Sequence, residues 1–182
     1  MNRPTGLNID VDLELLAGCY RDTREVLAAI PEGRWPAPSP CREWTVREVA
    51  DHLVDALGFF AAAVSGEPAD RPADLLDAYD DATRRCLGAF GAPGALAAEH
   101  PFGDGRTTGR AIATISLSEA LVHGWDLATA AGLPYAPNPD AVALLQRFAG
   151  GPKVPGLFAD PVPVPPGAPS FTVLLGRLGR VA

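Results

Sequence analysis

Apolar residues recur at helical intervals through most of the chain, and proline and glycine set the breaks between runs. From Asp10 to about Ile30, Leu13, Leu16, Tyr20, Val26 or Leu27, and Ile30 fall on one face of a helix of about 3.6 residues per turn. Pro31 ends that helix, and "PEGRWPAPSPCREW" holds too many prolines to continue it. "TVRE" at 45–48 has the form of a capping box, so a second helix is expected from there to about Ser65, with Val49, Leu53, Leu57, Phe60 and Val64 as its core stripe. After the break "GEPADRP", the run "ADLLDAYDDATRRCLGAF" predicts a third helix. "GAPGALAAEHPFGDGRTTGR" then reads as loop with at most a short turn of helix. A fourth helix is expected from Thr108 or Gly109 to Ala131, stopped by Gly132 and Pro134, and a shorter fifth over "PDAVALLQRFAG".

The tail from Gly151 to Ala168 is proline-rich and is expected to lie extended on the surface. "SFTVLLGRLGR" closes the pattern with a final helical turn or two that docks Phe171, Leu174 and Leu178. No repeat, heptad run or alternating strand series is visible. The expected fold is all-α, a four-helix bundle with extra short helices, occupying residues 1–182 as one domain with 151–182 packed on its surface.

Composition narrows the function classes. With 47% hydrophobic and 20% charged residues the chain has an ordinary globular balance. Its net charge of −7, without any dense Lys/Arg cluster, argues against nucleic acid as a partner. No 18-residue apolar span and no basic-then-apolar leader is present, so no membrane association is expected. Cys19, Cys41 and Cys86 are odd in number and far apart, which suggests neither a disulfide framework nor a thiolate zinc site. They read as reduced cysteines of a cytoplasmic protein. Pairing of bundles into a homodimer stays open.

One stretch departs from the apolar pattern. In "SEALVHGWDLATAAG", residues 118–132, Glu119 and His123 stand four apart, about 40° around a helix axis, and Asp126 continues their line. His52, near the apolar stripe of the second helix, offers a further imidazole. Two neutral imidazoles and a carboxylate form a three-ligand divalent metal set, and bundles build such sites from inward side chains on facing helices. On spacing alone, Glu119 and His123 are equally readable as an ordinary i, i+4 pair.

Taken together, "PSPCREWTVREVADHLV" (38–54) and "SEALVHGWDLATAAG" resemble the two signature segments of the mycothiol-dependent maleylpyruvate isomerase N-terminal family, within the DinB-like superfamily. The shared pattern is a proline-cysteine loop leading to a tryptophan, a Thr-Val helix start and a helix histidine. An acid-x-x-x-His-x-Trp-Asp-Leu-Ala segment follows later in the chain. The resemblance implies a bundle holding a divalent metal, commonly zinc, through His52, Glu119 and His123, with nickel, iron or manganese as alternatives. It also implies mycothiol or a similar thiol as cosubstrate and a small electrophile as its acceptor, in thiol transfer or isomerase-like chemistry. Isomerases of the family carry a further C-terminal domain, and none is expected within these 182 residues.

Two other readings use the same fold. A hydrolase would direct metal-activated water with Asp55 or Asp126 as base, although Asp126 is equally placed to orient His123. A non-catalytic module would shelter a small molecule or a partner. Trp44 and Trp125 are expected to serve packing, Cys41 to be structural, and His100 to lie on the surface.

Overall fold

Each main helix begins where a side chain takes up the free amides of its first turn. In the computed structural model, which describes residues 11–41, 44–149 and 160–181, Asp12 accepts from the Glu14 amide at 2.9 Å and starts α1 (Leu13–Ala29). Thr45 and Glu48 complete the expected capping box at α2 (Val46–Ser65): the Thr45 hydroxyl accepts from the Glu48 amide, and the Glu48 carboxylate accepts from the Thr45 amide. Asp74 accepts from the amides of Leu76 and Asp77 ahead of α3 (Leu75–Gly91). Thr108 accepts from the Ala111 amide ahead of α4 (Gly109–Ala131). Gly66 and Gly132, with φ of 76° and 72°, close α2 and α4 in the left-handed region that glycine enters freely.

Helices α1 and α2 each pack against both α3 and α4, so the four surround the core in the order α1, α3, α2, α4. This is the all-α bundle that the periodicity predicts, of the DinB-like kind that the family resemblance implies. Leu16, Leu53, Leu57, Tyr79, Phe90, Ile112, Leu117 and Leu121 are fully buried in it. Helix α4 is buried around nearly its whole circumference, because α5 (Pro139–Ala149) also packs against it. Small residues permit the approach. A Cβ on Gly124 would lie 2.7 Å from Thr23 Oγ1 and 3.0 Å from the Tyr135 hydroxyl.

The last helix, α6 (Ser170–Arg177), packs on α5 with Leu174, Leu175 and Leu178 buried. Residues 160–165 run without regular structure beside it, half-burying Val162 and Val164. Instead of staying extended to Ala168, the chain turns at residues 166–167, where the Ala168 amide donates to the Pro165 carbonyl at 3.2 Å. The Val162 amide donates to the Gly176 carbonyl at 2.8 Å. The expectation for residues 151–159 lies outside the described residues. No helix among the described residues is long and apolar enough to cross a membrane.

The segment before α4 differs from its expected form. Instead of plain loop it contains a hairpin, β1 (Glu99–Phe102) and β2 (Gly105–Thr108), antiparallel with Phe102 opposite Gly105. Gly103, at φ 56°, makes the tight turn possible. "EHPF" and "GRTT" show no apolar alternation, and Pro101 argues against a strand, so periodicity gave no signal. What holds the hairpin is tertiary: Phe102 packs on Phe59 and Phe60 of α2, ring centres 5.6 and 6.0 Å away. His100 belongs to this strand and is half-buried, with Nε2 2.8 Å from the Ala95 carbonyl, so it braces the preceding loop instead of lying free on the surface.

Two glycines give opposite expectations. Gly124→Ala forces a methyl into Thr23 and Tyr135 and is expected to destabilise the fold by about 1–3 kcal/mol. Gly58→Ala, in α2 with no atom within 4 Å of the added carbon, is expected to stabilise it by roughly 0.5–1 kcal/mol through helix propensity. Urea denaturation of both variants checks the pair, and equal midpoints would contradict the packing described.

Candidate metal centre

Helix α2 presents His52 and α4 presents Glu119 and His123 toward a common point. Both histidines aim Nε2 at the same carboxylate oxygen, Glu119 Oε2: His52 from 3.1 Å and His123 from 3.2 Å. The fold thus brings together all three residues singled out as a donor set, from positions 67 residues apart in sequence. Donor atoms about 2.0–2.1 Å from a tetrahedral ion stand roughly 3.3 Å apart. The observed separations fit that spacing, and the three donor atoms all lie within 4.8 Å of one another. The residues present therefore suit a small divalent cation in both chemistry and spacing.

Asp126, one turn beyond His123, accepts from His123 Nδ1 at 2.9 Å. That contact places the proton on Nδ1 and leaves the Nε2 lone pair facing the cluster whenever the ring is neutral. The sequence reading does not single out Arg180, just beyond α6. Its side chain is only 9% exposed, and it donates through Nη2 to Asp126 Oδ2 at 3.1 Å and to Cys41 Sγ at 3.7 Å. A lone arginine after an apolar helix is the only trace of this in sequence, and nothing there ties it to a residue 54 positions earlier. Asp126 Oδ1 and Arg180 Nε are buried without a hydrogen-bond partner among the described residues.

A second donor group, Cys41 with His123 and Asp126, also falls within 4.8 Å. The Arg180 guanidinium touches two of its three members and already supplies the positive charge there, so the His52–Glu119–His123 group is the better cation site. The other candidates lie elsewhere or serve the scaffold. Asp55 is exposed and paired with Arg71 at 2.8 Å. Trp125 packs against Phe171 with ring centres 6.5 Å apart. The Trp44 indole lies beside the centre, its ring centre 4.5 Å from that of His52 and 6.3 Å from that of His123.

The electrostatics follow from burial and pairing. Burial pushes the Glu119 carboxyl up, but the hydrogen bonds and charges of His123 and His52 outweigh it and hold the group down at about 2. Burial pushes His123 down, while its bonds to Asp126 and Glu119, and their charges, carry it up to about 9. In the metal-free protein the centre is thus a carboxylate clamped by an imidazolium.

A DinB-like helical bundle with a His–Glu–His cluster between two of its helices is the class that fold and site define. Within that class the chain belongs to the mycothiol maleylpyruvate isomerase N-terminal domain family, whose model matches residues 16–128. Two relatives from two strains of Mycobacterium tuberculosis, both described only as uncharacterized proteins, are each 31% identical over 166 residues. Those alignments span 85% of this chain and 90% of each relative. No solved structure matches the chain significantly.

The shifts set the pH response of chelator-treated protein. The Glu119 contribution is complete above an ordinary 4.5 and is lost as pH falls toward about 2. The His123 contribution is complete below an ordinary 6.5 and is lost as pH rises through about 9. Urea midpoints of the metal-free protein are therefore expected to be highest between pH 4.5 and 6.5 and to decline on either side. A midpoint that climbs from pH 6.5 to 9 would contradict the clamp.

The thiols give a separate check. Burial pushes Cys19 up to about 12, with Asp22 adding to it. Burial likewise takes Cys86 to about 11, although nearby hydrogen bonds oppose it. Cys41 is also raised by burial, which the Arg180 charge only partly offsets. Iodoacetamide at pH 8 is expected to label native protein slowly, at the half-buried Cys41 alone, and all three cysteines after unfolding. Rapid native labelling of Cys19 or Cys86 would count against the packing around them.

Proposed function

We propose that the chain is a divalent-metal-binding enzyme domain that activates a low-molecular-weight thiol of the mycothiol type for attack on a small electrophile, in transfer or isomerase-like chemistry. The observation that carries this reading is the convergence of His52 Nε2 and His123 Nε2 on one Glu119 oxygen at the spacing of metal ligands. The family description, which names mycothiol and a maleylpyruvate isomerase, supports the thiol as partner. Zinc suits two imidazoles and a carboxylate, and nickel, iron or manganese accept the same set.

A divalent ion held there favours the deprotonated form of an approaching thiol, which at its free pKa of about 8.5 carries little thiolate at neutral pH. The chain's own residues arrange the rest. Glu119 supplies the negative charge of the donor set, and Asp126 keeps the His123 proton on Nδ1 so that Nε2 stays available. Arg180 donates to the same Asp126 oxygen, Oδ2, that accepts from His123 Nδ1, and so helps to hold the carboxylate in place. His52, whose side chain is 37% exposed against 6% for His123, marks the solvent side from which a thiol and electrophile reach the centre.

The hydrolytic reading is weaker on the same geometry. Asp55 is engaged by Arg71, and Asp126 by His123 and Arg180, so neither carboxylate is placed to take a proton from water at the donor set. The non-catalytic module differs from the enzyme in one observable, acceleration of a thiol reaction.

The test combines metal analysis with kinetics. Purified, metal-replete protein is expected to hold about one divalent ion per chain and to accelerate adduct formation between mycothiol and a chromogenic aryl halide. His52→Ala should lower that rate by more than about tenfold, since it removes a ligand outright. Equal rates in wild type and His52→Ala would remove the basis for the enzyme reading. One tightly held ion without any acceleration would point to the binding module.

A further inference from the structure

The two imidazoles of the donor set are held by different means. His123 is buried and fixed at its second nitrogen by Asp126. His52 is half-buried, points Nε2 at Glu119, and makes no hydrogen bond at Nδ1 among the described residues. A ligating histidine ordinarily donates its other ring N–H to a carboxylate or carbonyl, which fixes the plane of the ring. Among the described residues His52 has no such partner, yet its Nε2 is aimed at the same oxygen as that of His123. Something else must hold the ring.

The group in position is the Trp44 indole, with its ring centre 4.5 Å from the imidazole and the planes 47° apart. Centroid separations of about 4.5–7 Å are those at which aromatic rings attract each other. Trp44 is itself firmly placed. Its amide donates to the Cys41 carbonyl at 3.1 Å, and its carbonyl accepts from the Ser39 amide at 2.9 Å. The next residue, Thr45, bridges to Pro38 and caps α2. The amides of Val46 and Arg47 donate to the carbonyls of Ala37 and Trp35 at 2.9 and 3.0 Å. The segment before α2 is therefore a hook, hydrogen-bonded to itself and to the first turn of the helix, which carries the indole against His52.

We propose that Trp44 is the positioning residue for His52, doing by ring contact what Asp126 does for His123 by hydrogen bond, and that it thereby governs how tightly the metal is held. The inference rests on the metal reading above. It assigns the hook a function beyond packing, and it makes the two halves of the donor set unequal. Glu119 and His123 form a buried, hydrogen-bonded base on one helix, and His52 is the half-exposed ligand whose aim depends on an aromatic wall.

The experiment compares wild type, Trp44→Phe and Trp44→Leu by competition for zinc against a chromophoric chelator. Far-UV circular dichroism confirms that each variant keeps its helices. Trp44→Leu, which retains apolar bulk without a ring, is expected to bind zinc roughly tenfold or more weakly, the usual loss when the support of a ligand is removed. Trp44→Phe keeps a ring against the imidazole and is expected to stay close to wild type. Cobalt, which quenches a neighbouring indole, should dim the emission of wild type by a larger fraction than that of cobalt-loaded Trp44→Phe, in which only Trp35 and Trp125 remain. Wild-type affinity in Trp44→Leu, equal weakness in both variants, or no cobalt quenching of wild type would overturn the assignment. Wild type that takes up no zinc at all would instead overturn the metal reading beneath it.

Discussion

Burying a carboxylate against a hydrophobic core is unfavourable by several kcal/mol unless opposite charge and hydrogen bonds meet it, and Glu119 is buried in the middle of the chain's most enclosed helix. Its oxygen needs partners that its own helix cannot supply alone. His123, one turn along α4, provides one, and His52 from α2 provides the other. The α2–α4 packing is therefore required to bring the imidazole of one helix onto the carboxylate of the other, and the small residues of α4 let the bundle close around it. A cation between the three groups would satisfy the same constraint with neutral imidazoles, which is why the arrangement suits a metal.

Support for the centre comes from three directions. Asp126, from α4 itself, fixes His123. Arg180, from beyond α6, neutralises Asp126 and touches Cys41. The hook before α2 brings Trp44 against His52. The C-terminal segment and the proline-rich loop are thus joined through the centre. Cys41, read from sequence as structural, sits where these two supports meet.

The parts of the fold that were legible in sequence are those governed by local physics. Thr45 with Glu48, Thr108 and Gly132 mark helix ends because capping and left-handed turns depend on single residue types. The grouping of His52, Glu119 and His123 was only half legible. Spacing puts Glu119 and His123 on one helix face but reads equally as an ordinary i, i+4 pair, and it was the resemblance of two segments to a known family that joined His52 to them. The hairpin at 99–108 was not legible, because Phe102 is held by rings on α2 and not by any pattern in its own strand. Arg180 was invisible because its partner lies 54 residues away and its place in the fold follows from docking of α6. Trp44 carried a packing reading, and only the ring geometry relates it to His52.

The claim that His52, Glu119 and His123 form one metal centre is tested most directly by diffraction from zinc-soaked crystals, measured on both sides of the zinc absorption edge. The account predicts a single anomalous peak about 2.0–2.2 Å from His52 Nε2, His123 Nε2 and a Glu119 carboxylate oxygen. A peak seated instead on Cys41 and Asp126, or no peak within bonding distance of the three donors, would contradict it.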